Sequence, residues 1–230
     1  MEVAFGILSG GLQAAAYLYY LAKARQRQIA PNPTSWLMWG YGTTLIFALE
    51  LDSGATAAML VLPAVCAISS VAVAVLCWRH RGLRWPRERW ERRSLHTDLA
   101  LTAAYVATWA LMAADLLPAA RKDDSDIVLV VIGNLSALVT FVPMLRETWR
   151  EPDLEHPGPW IVWTTAYLVL GLATVCSPGL TWHLLLYPAL CFVLHVAVRW
   201  SADASPLSIF FTPERGLSSH EAHCSRPEFH

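Results

Sequence analysis

The sequence predicts an all-α membrane protein, with seven transmembrane helices arranged as two parallel three-helix repeats joined by a linker helix. Three observations carry this. Of 230 residues, 55% are hydrophobic and only 15% charged, at a mean hydropathy of +0.39, whereas a soluble domain carries about a quarter charged. The charges are bunched between long apolar runs. Two blocks of the chain also recur in order at offsets of 124 and 125 residues. The composition excludes a soluble globular enzyme.

A hydrocarbon core of ~30 Å takes roughly 20 helical residues. Apolar stretches of about that length occupy 4–22, 35–51, 55–78, 99–118, 127–145, 160–176 and 182–198. Glu2 and the lack of a basic n-region mark the first run as a retained span rather than a cleaved signal. The chain thus divides into a first repeat (1–78), a basic cytoplasmic loop (79–96), a linker helix with an outer loop (97–126), a second repeat (127–200) and a tail (201–230). The tail is polar and rich in Ser, Pro and His, and reads as disordered and cytoplasmic.

The net charge of −1 names no partner, but the placement of charge is informative. Fifteen of the seventeen Lys and Arg residues fall in the first, third and fifth connections and the tail, leaving Arg121 and Lys122 on the other side. Cytoplasmic loops retain basic residues, so the amino terminus is expected outside and the carboxyl terminus inside. The excess of Arg over Lys points to a bacterial genome and hence to the plasma (cytoplasmic) membrane. The arginines of 79–93, with Trp78, Trp85 and Trp90, are expected to lie on anionic lipid headgroups rather than to stack on nucleic acid.

An offset of 124 sets Pro33, Trp36 and Trp39 on Pro157, Trp160 and Trp163. An offset of 125 sets LPAVCAISSVAV (62–73) on YPALCFVLHVAV (187–198), matching Pro63 with Pro188 and Cys66 with Cys191. The repeating unit is three helices. Joined directly, an odd number of helices would invert the second unit; the linker helix restores parallel orientation and leaves a pathway between the units.

This three-plus-one-plus-three plan resembles the SWEET and PQ-loop transporter superfamily, and the local motif adds to the likeness. In that superfamily a Pro-Gln pair ends the first helix of a repeat, a basic loop follows, and Ser and Trp open the next helix. The second repeat here reads FVPMLRETWREPDLEHPGPWIVW, with Pro143 in the proline place and Met144 where glutamine is usual. The first reads LYYLAKARQRQIAPNPTSWLMW, with Tyr19 and Tyr20 at that position. The resemblance implies a carrier with its solute site in the third and seventh helices, which offer Ser69, Ser70 and His195.

Several residues are candidates for transport. Pro63, Pro143 and Pro188 lie within spans, where a freed carbonyl permits a hinge. Gln13, Ser70 and Asn134 are polar groups at membrane depth that either line a site or serve as packing glue, and His195 either lines the site as a titratable group or is a core histidine bonded to a backbone carbonyl. Gln13 coincides with Ser136 when Gly10 is set on Gly133. Trp36, Trp39, Trp160 and Trp163 form either an aromatic belt or, one face per pair, a gate at the cytoplasmic mouth. Glu50 is the proton-coupling candidate: at about 21 Å from Trp36 along the helix its carboxylate faces an aqueous vestibule or takes up a proton, unless a tilted helix brings it to the outer surface. Thr174 corresponds to it in the second repeat.

No catalytic constellation, cofactor motif or resident metal site is expected. Both lysines, Lys23 and Lys122, lie in loops, which excludes a retinal Schiff base in the last helix. His220, His223 and Cys224 have metal-compatible spacing but no fixed fourth ligand. The reading is a facilitative or proton-coupled carrier of a small polar solute, a sugar or other small metabolite, with homo-oligomerisation left open. The alternative is a non-transporting membrane sensor or interaction protein on the same scaffold.

Overall fold

The computed structural model describes residues 1–29, 31–81, 86, 88–116, 119–152, 155–178, 180 and 182–203. Seven α-helices follow one another: α1 (Glu2–Arg25), α2 (Pro33–Asp52), α3 (Ala57–Arg81), α4 (Arg89–Ala113), α5 (Ala119–Arg150), α6 (Pro157–Val175) and α7 (Leu186–Asp203), the last entered through a 3-10 turn, Trp182–Leu185. Among the described residues, four segments are long and apolar enough to cross a membrane: Ala57–Arg79, Ile127–Arg150, Pro157–Val175 and Trp182–Ala202. The remaining helices, α1, α2 and α4, are 24, 20 and 25 residues long. Length is not what sets them apart. Gly, Ser and Gln dilute α1, Trp, Tyr, Gly and Thr dilute α2, and charges fill the first turns of α4.

Polar residues are buried and apolar ones exposed, the distribution expected where the surroundings are lipid. Gln13, Ser70, Asn134, Thr140 and His195 lie inside, while Ile7, Leu18, Ile68, Val106, Trp109, Leu172 and Val193 face outward. The described residues are all-helical, with four apolar helices compatible with a membrane protein.

Two helix starts differ from the expected spans for one reason: charge ends a membrane span but not a helix. α4 begins at Arg89 rather than near residue 99, because Glu88 and Glu91 close a capping box in which the Glu91 carboxylate accepts the Glu88 backbone N–H at 3.1 Å. Part of the expected basic loop is therefore helical; 82–85 and 87 lie outside the described residues, as does the tail from 204 onward, with His220, His223 and Cys224. α5 likewise starts at Ala119, eight residues before 127, and runs 32 residues to Arg150.

α3 packs against both α1 and α2, and α7 against both α5 and α6. Between these groups run two seams, α1 on α6 and α2 on α5, and α4 lies mainly along α5. Gly6 and Gly10 let α1 approach α3 closely: a Cβ on them would stand 2.3 Å from the Ala58 carbonyl oxygen and 2.3 Å from Val61 Cγ1. One end of the molecule gathers the end of α1 (Tyr20), the start of α2 (Trp36), the end of α5 (Glu147), the start of α6 (Trp160) and the start of α4 (Glu88). Lys23, Arg25, Arg146 and Arg150 belong to it, and it is called the basic end below. At the far end Thr56 donates to Glu2, and Glu50 meets Thr174 and Tyr187. By these contacts α1 and α5 run in one direction, as do α3 and α7, while α2 and α6 run in the other.

Candidate functional site

The buried face of α1 carries Gly6, Ser9, Gly10, Gln13, Ala16, Tyr17 and Tyr20, spaced three and four apart. Tyr17 from this face meets Cys66 and Ser70, themselves one turn apart on α3. Its hydroxyl lies 2.6 Å from Ser70 Oγ and 3.2 Å from Cys66 Sγ. Tyr167 of α6 approaches the same Cys66 sulfur at 3.7 Å and shares a hydrogen bond of 3.2 Å with Tyr187 of α7. Residues from α1, α3, α6 and α7 thus meet in one polar cluster inside the bundle.

His195 stands at its aromatic wall. Its ring centroid lies 4.8 Å from Tyr167, 5.2 Å from Phe141, 5.3 Å from Trp160 and 5.9 Å from both Trp39 and Trp163. Nδ1 donates to the Cys191 carbonyl at 2.6 Å; since a carbonyl only accepts, the proton of the neutral ring belongs to Nδ1, and Nε2 is left as an acceptor. The backbone bond and a substrate-facing role are therefore compatible, because each uses a different nitrogen.

Trp36, Trp39, Trp160 and Trp163 are all buried, between 0% and 5% exposed, and the aromatic-belt alternative does not describe them. Among the described residues, Trp78, Trp90, Trp109, Trp149, Trp182 and Trp200 are the exposed tryptophans, the kind that fit a belt. The four buried rings pair across the molecule with matching geometry: Trp36 on Trp163 at 6.2 Å and 49°, Trp39 on Trp160 at 6.3 Å and 50°. Within each helix the pairs differ, Trp36 and Trp39 being stacked and Trp160 and Trp163 edge-on.

Two buried groups in this region keep unspent hydrogen-bonding capacity. Gln13 Oε1 and Trp163 Nε1 have no partner among the described residues, and leaving such groups unpaired costs about 1–3 kcal/mol each. One acceptor and one donor on facing helices suit a polar solute or water.

The other expected residues lie elsewhere. Asn134 is buried in α5, its Nδ2 donating to Val130 O of the same helix at 2.9 Å; next to it, a Cβ on Gly133 would stand 3.1 Å from Ile46 on the α2 seam. Pro63 and Pro143 interrupt helices from inside. Pro188 is the third residue of α7, where a first-turn N–H has no partner within the helix, so it marks the joint with the 3-10 turn. Glu50 is 4% exposed, which separates it from the outer surface. It lines a small cavity at the far end with Thr174, Leu170, Tyr187 and Pro188, so the two residues matched by the 124-residue offset face one space. No hydrogen bond reaches its carboxylate among the described residues.

Three features had no place in the sequence reading. Tyr17, Tyr167 and Tyr187 form the polar cluster, although their contacts span 49, 20 and 101 residues of chain and leave no local signal. Asp98 of α4, 3% exposed, lines a small crevice of about 30 Å³ with Trp39, Thr43, Thr140 and Phe141; Gly42 borders its Oδ2, at an ordinary contact distance of 3.7 Å from where a Cβ would stand. At the basic end Glu155, in the connection before α6, accepts from Tyr20 Oη at 2.9 Å and Trp160 Nε1 at 3.1 Å. Burial pushes its carboxyl up to about 7, against the pull of these two hydrogen bonds and with a further push from Glu147. Glu155 could have been singled out: it opens the EHPGPWIVW string, five residues before Trp160.

No protein-family model, curated protein or solved structure matches this chain.

Proposed function

We propose that the chain is an integral membrane carrier of a small polar solute, working by alternating access between two three-helix units, α1–α3 and α5–α7, with α4 as the linker. The observation that carries the reading is the buried core where the units meet. Equivalent tryptophans cross it with near-identical geometry, and the matched residues Ser70 and His195 both border the Tyr17–Cys66–Tyr167 cluster. The unspent groups of Gln13 and Trp163 add hydrogen bonds a solute would use. The same order of packing, with the third helix of each unit between its first and second, supports a repeat related by an axis along the membrane normal. On this reading Gln13, Ser70 and His195 line the solute site, and Asn134 sits on the α2–α5 seam beside it. Trp36, Trp39, Trp160 and Trp163 are the gate, Pro63 and Pro143 the bends, and Glu50 the proton-coupling group.

The likeness to the SWEET and PQ-loop plan belongs to the same proposal, as do a plasma-membrane location in a bacterium, an outside amino terminus, and anionic headgroups at the arginines of 79–93. The test is uptake of labelled sugars, amino acids and vitamins into proteoliposomes of the purified full chain. Saturable uptake of one class, lost in His195→Ala, fits a carrier. Binding of a solute without net flux moves the assignment to a sensor.

A further inference from the structure

The basic end of the seam between α1 and α6 is closed on a carboxylate, Glu155, that has no counter-charge among the described residues. Glu155 is half-buried and takes a hydrogen bond on each oxygen, from Tyr20 of α1 and Trp160 of α6. Trp36 Nε1 of α2 in turn donates to Tyr20 Oη at 3.2 Å. Two bonds on its oxygens and a third relayed through Tyr20 therefore link three helices to this side chain, and every donor is neutral.

The groups around it do not neutralise it. No cation is paired with Glu155 among the described residues. Glu147 of α5 repels it and is itself held by Asn32 Nδ2 of the α1–α2 connection at 2.9 Å. His156, in its own connection, accepts the Gly158 N–H on Nδ1 and packs on Tyr19 of α1; burial and Lys23 of α1 both hold its pKa below the usual imidazole value. Cys77 of α3 lies near Tyr20, and Trp36 and Trp160 bring no charge from α2 and α6. Asp153 lies outside the described residues.

We propose that Glu155 is a proton-sensing latch: when neutral it stays seated and the basic end is closed, and when ionised it is driven towards water and the basic end opens. A carboxylate taken out of water without a cation carries a desolvation cost that two neutral hydrogen bonds offset only in part. The neutral acid carries no such cost and still accepts one hydrogen bond. The sign follows from linkage. The seated carboxyl keeps its proton up to about 7, whereas one released into water ionises in the ordinary range near 4.3. The state with the higher pKa is the one protons favour, so acid closes this end and base opens it. Between those values the ratio of open to closed rises by up to about tenfold per pH unit, and it levels off above them. The latch goes beyond the carrier reading and does not rest on it, because it concerns opening rather than flux.

The test is a distance measurement across the basic end in the full chain in lipid nanodiscs. Spin labels on Arg25→Cys and Trp149→Cys, both exposed, are placed in a background of Cys176→Ser and Cys224→Ser. The longer-distance population is expected to grow several-fold from about pH 5.5 to about pH 8.5. Glu155→Gln stays closed at both values. Tyr20→Phe removes a donor that matters most to the ionised form, and opens further than its parent at the higher pH only. A pH-independent distribution in the parent, or an unchanged pH response in Glu155→Gln, overturns the latch. Should the Gln variant fail to fold, Tyr20→Phe decides alone: an open population equal to its parent's at the higher pH overturns it.

Discussion

One carboxylate at each end of the bundle, the half-buried Glu155 and the fully buried Glu50, can be set side by side, and the two ends treat them differently. At the basic end Glu155 has a donor on each oxygen and sits between three helices. At the far end Glu50 lies deeper, receives no hydrogen bond on its carboxylate among the described residues, and borders a cavity. Neither acid has a counterpart in the other unit: by the 124-residue offset Glu155 falls on Pro31 and Glu50 on Thr174. A carboxylate with its hydrogen bonds filled holds helices in place, whereas one facing an empty space remains available to a proton or to water. In the proposed carrier, closure would belong to the basic end and coupling to the far end.

The largest effect tests how much packing each end contributes. Trp160→Ala removes a fully buried ring and one of Glu155's donors, with an expected loss of about 3–5 kcal/mol. Tyr187→Phe at the far end keeps the ring, loses only the bond to Tyr167, and should cost about 1 kcal/mol. Unfolding midpoints in detergent compare the two. The close approaches give the next contrast. Gly6→Ala would place its Cβ against the Ala58 backbone, which cannot yield, at about 1–3 kcal/mol. Gly158→Ala at the basic end meets the ring of Tyr19, 38% exposed and able to swing away, and should cost less than about 1 kcal/mol.

The carboxylates separate by pH. Because the seated Glu155 binds its proton more tightly than an unfolded chain does, its contribution to stability is retained in acid and lost as pH rises towards about 7. Glu155→Gln should abolish that part of the pH dependence in thermal unfolding, and a slope equal to wild type would move the effect to another group. Glu50→Gln acts on flux: uptake loses its dependence on external pH, and an unchanged profile removes Glu50 from coupling. The smallest effect on flux is expected for Asn134→Ala. Its only described bond is to its own helix, so about 0.5–1.5 kcal/mol is expected, and a large loss of uptake would return it to the solute site.

The helices were legible in the sequence because apolar runs are local. Each expected span overlaps a helix, although the fourth runs past the end of α4 at Ala113 and the seventh begins in the 3-10 turn; the starts of α4 and α5 were missed, since Glu88, Glu91 and the charged residues after Ala119 continue a helix beyond any span. The tryptophans were legible for a different reason: the repeat singles out Trp36, Trp39, Trp160 and Trp163, although only the fold reveals that they cross-pair rather than ring the membrane surface. Tyr20 and Glu155 meet across 135 residues, and a lone acid in a connecting segment reads as a solvated charge. Pro188 matched Pro63 by offset, but the 3-10 turn before α7 gives it a first-turn position that the alignment does not encode.

The central claim is that two units move against each other, one end closing as the other opens, and locking an end tests it most directly. The basic end is locked by a short cross-linker between Arg25→Cys and Trp149→Cys, and the far end between Leu51→Cys and the native, exposed Cys176. The distance across the unlocked end is then read in nanodiscs with and without the lock. The expected result is that locking at least one end lengthens the distance across the other. If both distances stay the same in locked and free protein, the units do not alternate and the carrier account is contradicted.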